Sequence, residues 1–367
     1  MVLLRLHAWV VLGVSLCSAW ELPPSLPSSQ GPSTCTWQSS PRGLDHRRKF
    51  LSSSVGSAAA ALCLSYLALR QRGGGSEGRA PSSQALRMSI VDSAVHVWKQ
   101  DRNYPWATPN PPAADASAEE LIALMDANGV DKTVLVQPIC YLWDNSYVRD
   151  CMRRFPGRFA AVARVNPEDD ASVEKLEELS KEGFIGVRFG PLDRGWWESE
   201  RMRNILKKAE ELKFPVLLFL GKDGGKSLQW VAPRIKEFPN VKFIVDHMAD
   251  VPPSDDQQID ELLSLASSPN VLVKISHVWA ISTGQYPWSD AISVVQKVVR
   301  RFGPDRCMFA SDWPVCKMPT WPGGNTSYDM TVKLAKEEYK FLTEDELAWI
   351  LGGTASSIWF PASGTHG

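Results

Sequence analysis

The sequence contains no Cys-x-x-Cys pair, no Walker phosphate loop and no Gly-x-Gly-x-x-Gly after its first strand-like run. A nucleotide-binding open sheet would therefore lack the turn that grips phosphate. An excess of one charge is missing too. Forty Lys and Arg stand against 41 Asp and Glu, and a net charge of −1 creates no field to draw nucleic acid or an anionic membrane. Of the seven cysteines, Cys17, Cys35 and Cys63 precede residue 86. Cys140, Cys151, Cys307 and Cys316 have no metal-like spacing, which argues against a disulfide framework and for buried or free thiols. Histidine is scarce: beyond residue 86, only His96, His247 and His277 occur before the last two residues.

What is present falls into two compositional parts. The first, residues 1–85, reads as a targeting leader and linker. Arg5 is followed by an apolar run, Ala8 to Leu16, and a small-residue site, Cys17-Ser18-Ala19, as in a secretory signal peptide. Residues 21–45 are rich in Ser and Pro and poor in acids, as in a transit peptide. Arg47-Arg48-Lys49-Phe50-Leu51 then precedes the apolar stretch Val55 to Leu69, which resembles a twin-arginine export signal. A membrane span needs ~20 apolar residues, and this stretch is shorter. Three signals in this order resemble the layered leader of a protein sent to a plastid through the secretory route, with the thylakoid lumen as final address.

The second part, residues 86–367, alternates apolar β-type runs with helical segments. The runs are Ile90–Val97, Thr133–Gln137, Phe159–Val165, Gly186–Phe189, Val216–Leu220, Lys242–Asp246, Val271–Ile275 and Cys307–Ala310. Their Val, Ile and Phe content suits strands covered on both faces. Ser117-Ala118-Glu119-Glu120 and Thr343-Glu344-Asp345-Glu346 are capping boxes, and Gly129 is placed to end the first helix. Further helices are expected over Val173–Lys181, Met202–Leu212, Leu228–Phe238, Ile259–Ala266 and Ala291–Phe302. Eight strand–helix units predict an α/β fold of the (β/α)8 TIM-barrel type, with a doubly wound open sheet as the alternative.

Chemistry in such a barrel sits at the C-terminal ends of the strands. Those ends carry His96, Gln137, Arg188, Asp246-His247, His277 and Asp312. All three body histidines fall there. Asp312 lies between an apolar run and Trp313-Pro314, where Pro stops the ladder, so it is either a turn-initiating residue or a proton-handling carboxylate. Arg188 offers a fixed fork for a substrate carboxylate, or serves a structural ion pair. Trp98, Trp106, Trp143, Trp279 and other aromatics fall after strands, where they either meet a ring-shaped ligand or pack loops onto the barrel.

In this order, Val91-Asp92-Ser93-Ala94-Val95-His96-Val97-Trp98, Val136-Gln137-Pro138, Gly186-Val187-Arg188-Phe189, Asp246-His247-Met248, Val273-Lys274-Ile275-Ser276 and Ser311-Asp312-Trp313-Pro314 resemble the amidohydrolase-related family. Within it the sequence is similar to the 2-pyrone-4,6-dicarboxylate hydrolase and sugar-lactonase group, over roughly residues 88–360. The resemblance implies a hydrolase of a lactone or related cyclic ester, with Asp312 as general base on water and His247 and His96 as hydrogen-bond donors to the carbonyl oxygen. From their places at the strand ends, Arg188, Gln137, Trp98 and His277 are expected to contact substrate, Gln137 alternatively to pack, although His277 stands where the group more often has a small residue.

The superfamily pattern of metal ligands is met only in part. Ala94 replaces the first histidine of the strand-1 pair, and Pro215-Val216-Leu217-Leu218-Phe219-Leu220 has none. The expectation is therefore a site without cofactor, the alternative being zinc at a reduced site of His96, His247 and Asp312. Two other readings remain: a metal-dependent decarboxylase of the same family, and a barrel that has lost its chemistry and binds a ligand or partner.

Overall fold

The computed structural model describes residues 88–221, 224–319 and 325–361. The expected leader, residues 1–85, lies outside the described residues. Eight strands run through them: β1 Val91–Val95, β2 Lys132–Val136, β3 Phe159–Val162, β4 Val187–Phe189, β5 Val216–Leu218, β6 Phe243–Val245, β7 Val271–Ile275 and β8 Cys307–Phe309. Every paired neighbour is parallel and consecutive, in ladders β1-β2-β3 and β4-β5-β6-β7-β8. Bridges between Ala163 and Val187 and between Val95 and Trp313 join the two ladders at both seams. The sheet thus closes on itself, and the barrel, not the open sheet, is the fold.

A helix follows each strand: α1 Ala118–Asn128, α2 Ser146–Arg154, α3 Ser172–Lys181, α4 Glu200–Glu211, α5 Gly224–Glu237, α6 Asp256–Ser264, α7 Ser289–Phe302 and α8 Tyr328–Glu337. Their starts and stops follow local chemistry. The Ser117 hydroxyl accepts from the Glu120 N–H, and Gly129 ends α1 at φ 68°. The Thr343–Glu346 box is reciprocal. Helices α2 and α8 escape the sequence pattern. In α2 only Tyr147, Val148 and Cys151 are buried, on a segment otherwise crowded with Arg149, Asp150, Arg153 and Arg154.

Alternation along the strands sorts the core into two clusters. Val91, Val134, Val136, Ala160, Val162, Leu217, Ile244, Leu272 and Met308 form the interior, joined by Ala355 and Trp359 of the C-terminal helix Thr354–Trp359. The other parity, with Leu135, Ala161, Val216 and Val273, packs against the helices. The C-terminal segment reaches the interior through a π turn, Trp349–Gly353, in which a Cβ on Gly352 would lie 1.9 Å from the Ser89 carbonyl oxygen. Cys140, Cys151, Cys307 and Cys316 are buried and free. No helix among the described residues is long and apolar enough to cross a membrane.

The β8–β1 seam is where the site begins. Register slips by one residue in β1 between Asp92 and Val95, a bulge that re-aims the side chains beyond it. Asp92 then accepts from the Ser311 N–H at 2.9 Å and the Ser311 hydroxyl at 2.6 Å, while the Ser93 hydroxyl donates to the Phe309 carbonyl at 2.6 Å. Burial pushes the Asp92 carboxyl up to about 6 against these bonds from Ser311 and Ala94. Replacing Asp92 by Ala leaves two buried donors of Ser311 without their acceptor. The expected loss is about 1–3 kcal/mol, read as a lower urea midpoint at unchanged slope.

Candidate active site

Asp312 follows β8 at φ 56° and is 2% exposed. Its amide donates to the Ala94 carbonyl across the seam, and the next ladder bond, His96 N–H to Trp313 C=O at 2.7 Å, sets His96 beside it. The His96 Nδ1 donates to the Val136 carbonyl at 2.8 Å, because a carbonyl only accepts. Its Nε2 is thereby turned to Asp312 Oδ1, at 3.2 Å. On the other side His277 Nε2 is 2.8 Å from Asp312 Oδ2, and His277 Nδ1 is 2.7 Å from Asp250 Oδ1. Four residues thus form one chain, Asp250–His277–Asp312–His96, buried except at Asp250, which is half-buried. Asp312 Oδ1 has no aligned hydrogen bond among the described residues.

His247, after β6, lies flat on His277, with ring centroids 3.6 Å apart and planes at 4°. Its Nδ1 is 2.7 Å from the Ser276 hydroxyl, and Phe219, just after β5, meets it edge-on. The backbone beneath is strained. His247, Met248, Ala249 and Asp250 form an unbroken left-handed run, with φ between 51° and 58°, and His277 and Asp312 are left-handed as well. Such a conformation costs about 1–2 kcal/mol per non-glycine residue and collects where function requires it. The run is backed by the start of α5, where a Cβ on Gly224 would sit 1.9 Å from the Ala249 carbonyl oxygen.

Charge is divided within the mouth of the barrel. Burial opposes ionisation of Asp312, but His247, His277 and His96 outweigh it and hold the carboxyl well below its usual range. Burial also opposes a charge on His277, yet Asp250 and Asp312 outweigh it and push the ring up to about 10. His247, buried and stacked on that cation, is pulled down to about 4 and is neutral near pH 7. A second cluster is cationic. Asp246 takes Lys274 Nζ at 2.9 Å and Arg188 Nε at 2.8 Å, and these two cations hold it far below its ordinary value against burial. Arg164 lies near them, pulled down to about 9 by burial and by Arg188. It donates to the Gly190 carbonyl at 2.7 Å and stacks on Trp143, while its Nε and Nη1 are buried without a partner among the described residues. Three buried basic side chains therefore gather around one carboxylate, with Arg188 and Lys274 in contact with it and burial pulling the Lys274 ammonium down.

The expected site residues are thus sorted. His96, His247, His277 and Asp312 meet around one carboxylate. Arg188 does form an ion pair, through Nε. Gln137 Nε2 donates to the Asp144 carbonyl, fixing the loop after β2. Trp98, expected at the substrate, is 6% exposed, and its ring N–H donates to Ala114, so it holds its own loop. Asp250 lies outside the residues expected from the sequence, and Arg164, just past the end of β3, carries no expected role there. Arg164 was findable, since it continues the inward parity Ala160, Val162. Asp250 was not, because no glycine marks the left-handed run.

One correction concerns metal. The group whose donor atoms lie within 4.8 Å of one another is His247, His277 and Asp312, with His277 in place of the expected His96. These three are near enough for a divalent ion, but their arrangement does not fit one. An ion lies in the plane of each imidazole it binds, at about 2.0–2.1 Å from nitrogen, and two rings stacked face to face do not aim their lone pairs at one point. His277 also has both nitrogens on carboxylates.

The raised value of His277 has a sign. Its pairing contributes stability that is fully present below about 6.5, the ordinary value, and is lost as pH rises through about 10. The stability gap between wild type and His277→Asn is expected to shrink steadily over that window, as read by urea midpoints at each pH.

The amidohydrolase family description matches residues 91–360. A 4-sulfomuconolactone hydrolase from Hydrogenophaga intermedia is 28% identical over 237 residues, 61% of this chain and 74% of that one. A 2-pyrone-4,6-dicarboxylate hydrolase from Comamonas testosteroni is 27% identical over 248 residues, 62% of this chain and 78% of that one. Among solved structures, an amidohydrolase from Burkholderia multivorans with bound zinc is similar at a TM-score of 0.60 and 20% identity, over 74% of this chain and 99% of that one. The closed barrel, the histidines gathered on a β8 aspartate and a match spanning the whole barrel lead to one conclusion: the chain belongs to the amidohydrolase family.

Proposed function

We propose that the chain hydrolyses a lactone or related cyclic ester bearing an acidic group, without a metal ion. The observation that carries this reading is the setting of Asp312: buried and held well below its usual range, with Oδ2 on His277 and Oδ1 3.2 Å from His96 Nε2 without an aligned hydrogen bond, beside neutral His247. Water attacks the lactone carbonyl carbon, and Oδ1 takes its proton. If Ser276 donates its hydroxyl to His247 Nδ1, Nε2–H is left to donate to the oxygen on which negative charge develops. The ring C–O bond then breaks, and the alkoxide recovers the proton from Asp312. Arg188 and Arg164 supply the positive charge that would hold the acidic group. The lactone-hydrolase names of two relatives support the substrate class, and Ala94 with the flat imidazole pair supports the metal-free route.

Assay of the full-length chain against a panel of lactones with acidic substituents, with and without chelator, tests this. Turnover that survives chelation is expected, and turnover restored only by zinc would reverse the metal-free reading. Asp312→Asn should lower kcat by about 10²–10⁴-fold while ligand binding by calorimetry persists. An unchanged rate would point instead to a barrel that only binds. Arg164→Met should raise KM about tenfold with a smaller change in kcat. We also propose that residues 1–85 direct the protein to a plastid; a fluorescent fusion retained in the cytosol would exclude this.

A further inference from the structure

The poor fit to a metal and the position of His277 are two sides of one arrangement. Metal in this superfamily is held against the β8 carboxylate by imidazoles, and the ion's charge keeps that carboxylate ionised in a buried place. Here Ala94 withdraws one ligand, yet Asp312 is 2% exposed. A buried carboxylate needs a cation. The described groups facing it are His277 on Oδ2, His96 near Oδ1, His247 stacked on His277, and Lys274, whose Nζ is engaged by Asp246.

His277 alone among these lies between two carboxylates. Asp250 Oδ1 and Asp312 Oδ2 stand at 2.7 and 2.8 Å from its two nitrogens. With ionised carboxylates, whose oxygens only accept, at both nitrogens, both must donate and the ring is an imidazolium. The backbone is bent to make this possible: Asp250 ends the left-handed run, and His277 is itself left-handed at φ 57°. His247 closes the remaining face of the ring.

We propose that the Asp250–His277 pair takes the place of the divalent ion in this chain: a fixed imidazolium neutralises and aims Asp312, and Asp250 is the counter-ion that keeps it charged. His277 is 1% exposed and acts through Asp312, so it is a positioning residue. Asp250 in turn orients the ring, as a carboxylate orients a ligand histidine. The arrangement removes a metal site while keeping the charge the site needs.

The test does not require the lactone reading to be right. In the full-length chain labelled with 15N-histidine, both ring nitrogens of His277, assigned by their absence in His277→Gln, should carry protons at pH 7.5. Wild-type protein dialysed after equimolar zinc should retain none. A His277 with one bare nitrogen at pH 7.5, or stoichiometric zinc retained, overturns the proposal, and the zinc arm needs no variant. Where a lactone is turned over, Asp250→Asn should lower kcat at least tenfold with KM within threefold and move the acid limb of the kcat profile upward. A kcat within twofold of wild type overturns it. If no lactone is hydrolysed, the proposed function fails, and the nitrogen and zinc measurements still decide the role of His277.

Discussion

The seam between the last and first strands is the constraint on which the rest depends. A parallel eight-strand sheet has two edges until β8 meets β1, and each unpaired edge group costs what a buried, unmade hydrogen bond costs. Here the ladder is completed past the end of β8, through the backbone of Asp312 and Trp313, and reinforced by Asp92 and Ser93. The residues that close the barrel are therefore the residues that build the site. His96 stands beside Asp312 because the ladder bond that seals the seam belongs to His96 itself.

A second theme is the separation of charge in a buried mouth. Asp312, Asp250 and the imidazoles occupy one side, and Arg164, Arg188, Lys274 and Asp246 the other. Within the second group the cations outnumber the carboxylate, an imbalance that a folded core tolerates poorly unless a ligand supplies the missing anion. Within the first group, burial and then the His277 cation pull His247 down, while Asp250 and Asp312 push His277 up against burial. Left-handed residues bear the local cost, and the helices around the barrel supply the stability that holds them there.

The barrel is that of the family, and the contents of its mouth match the metal-ligand pattern the sequence resembles only in part. Ala94 stands where that pattern implies the first strand-1 histidine, strand 5 carries no histidine, and His277 follows β7. A view confined to the ligands absent from the pattern would suggest a damaged site. His277, held between two acids, suggests a site that meets the same electrostatic need with its own side chains.

Much of this is legible in the sequence. Apolar runs of strand length, the two capping boxes and Gly129 report local propensity and burial, and those are properties of short segments. They marked all eight strands and most of the helices, and the strand-end rule pointed to His96, His247, His277, Arg188 and Asp312. The missing strand-1 histidine was also plain in the sequence. The tertiary structure decided what these residues do to one another. Which histidine joins His247 at Asp312 depends on a left-handed run that no glycine announces. Whether Trp98 touches solvent or its own loop depends on Ala114, 16 residues away. Protonation states follow from distances between residues as far apart in the chain as 277 and 312. Propensity is local and was readable; charge and hydrogen bonding act through space, and only closing the barrel brings their partners together.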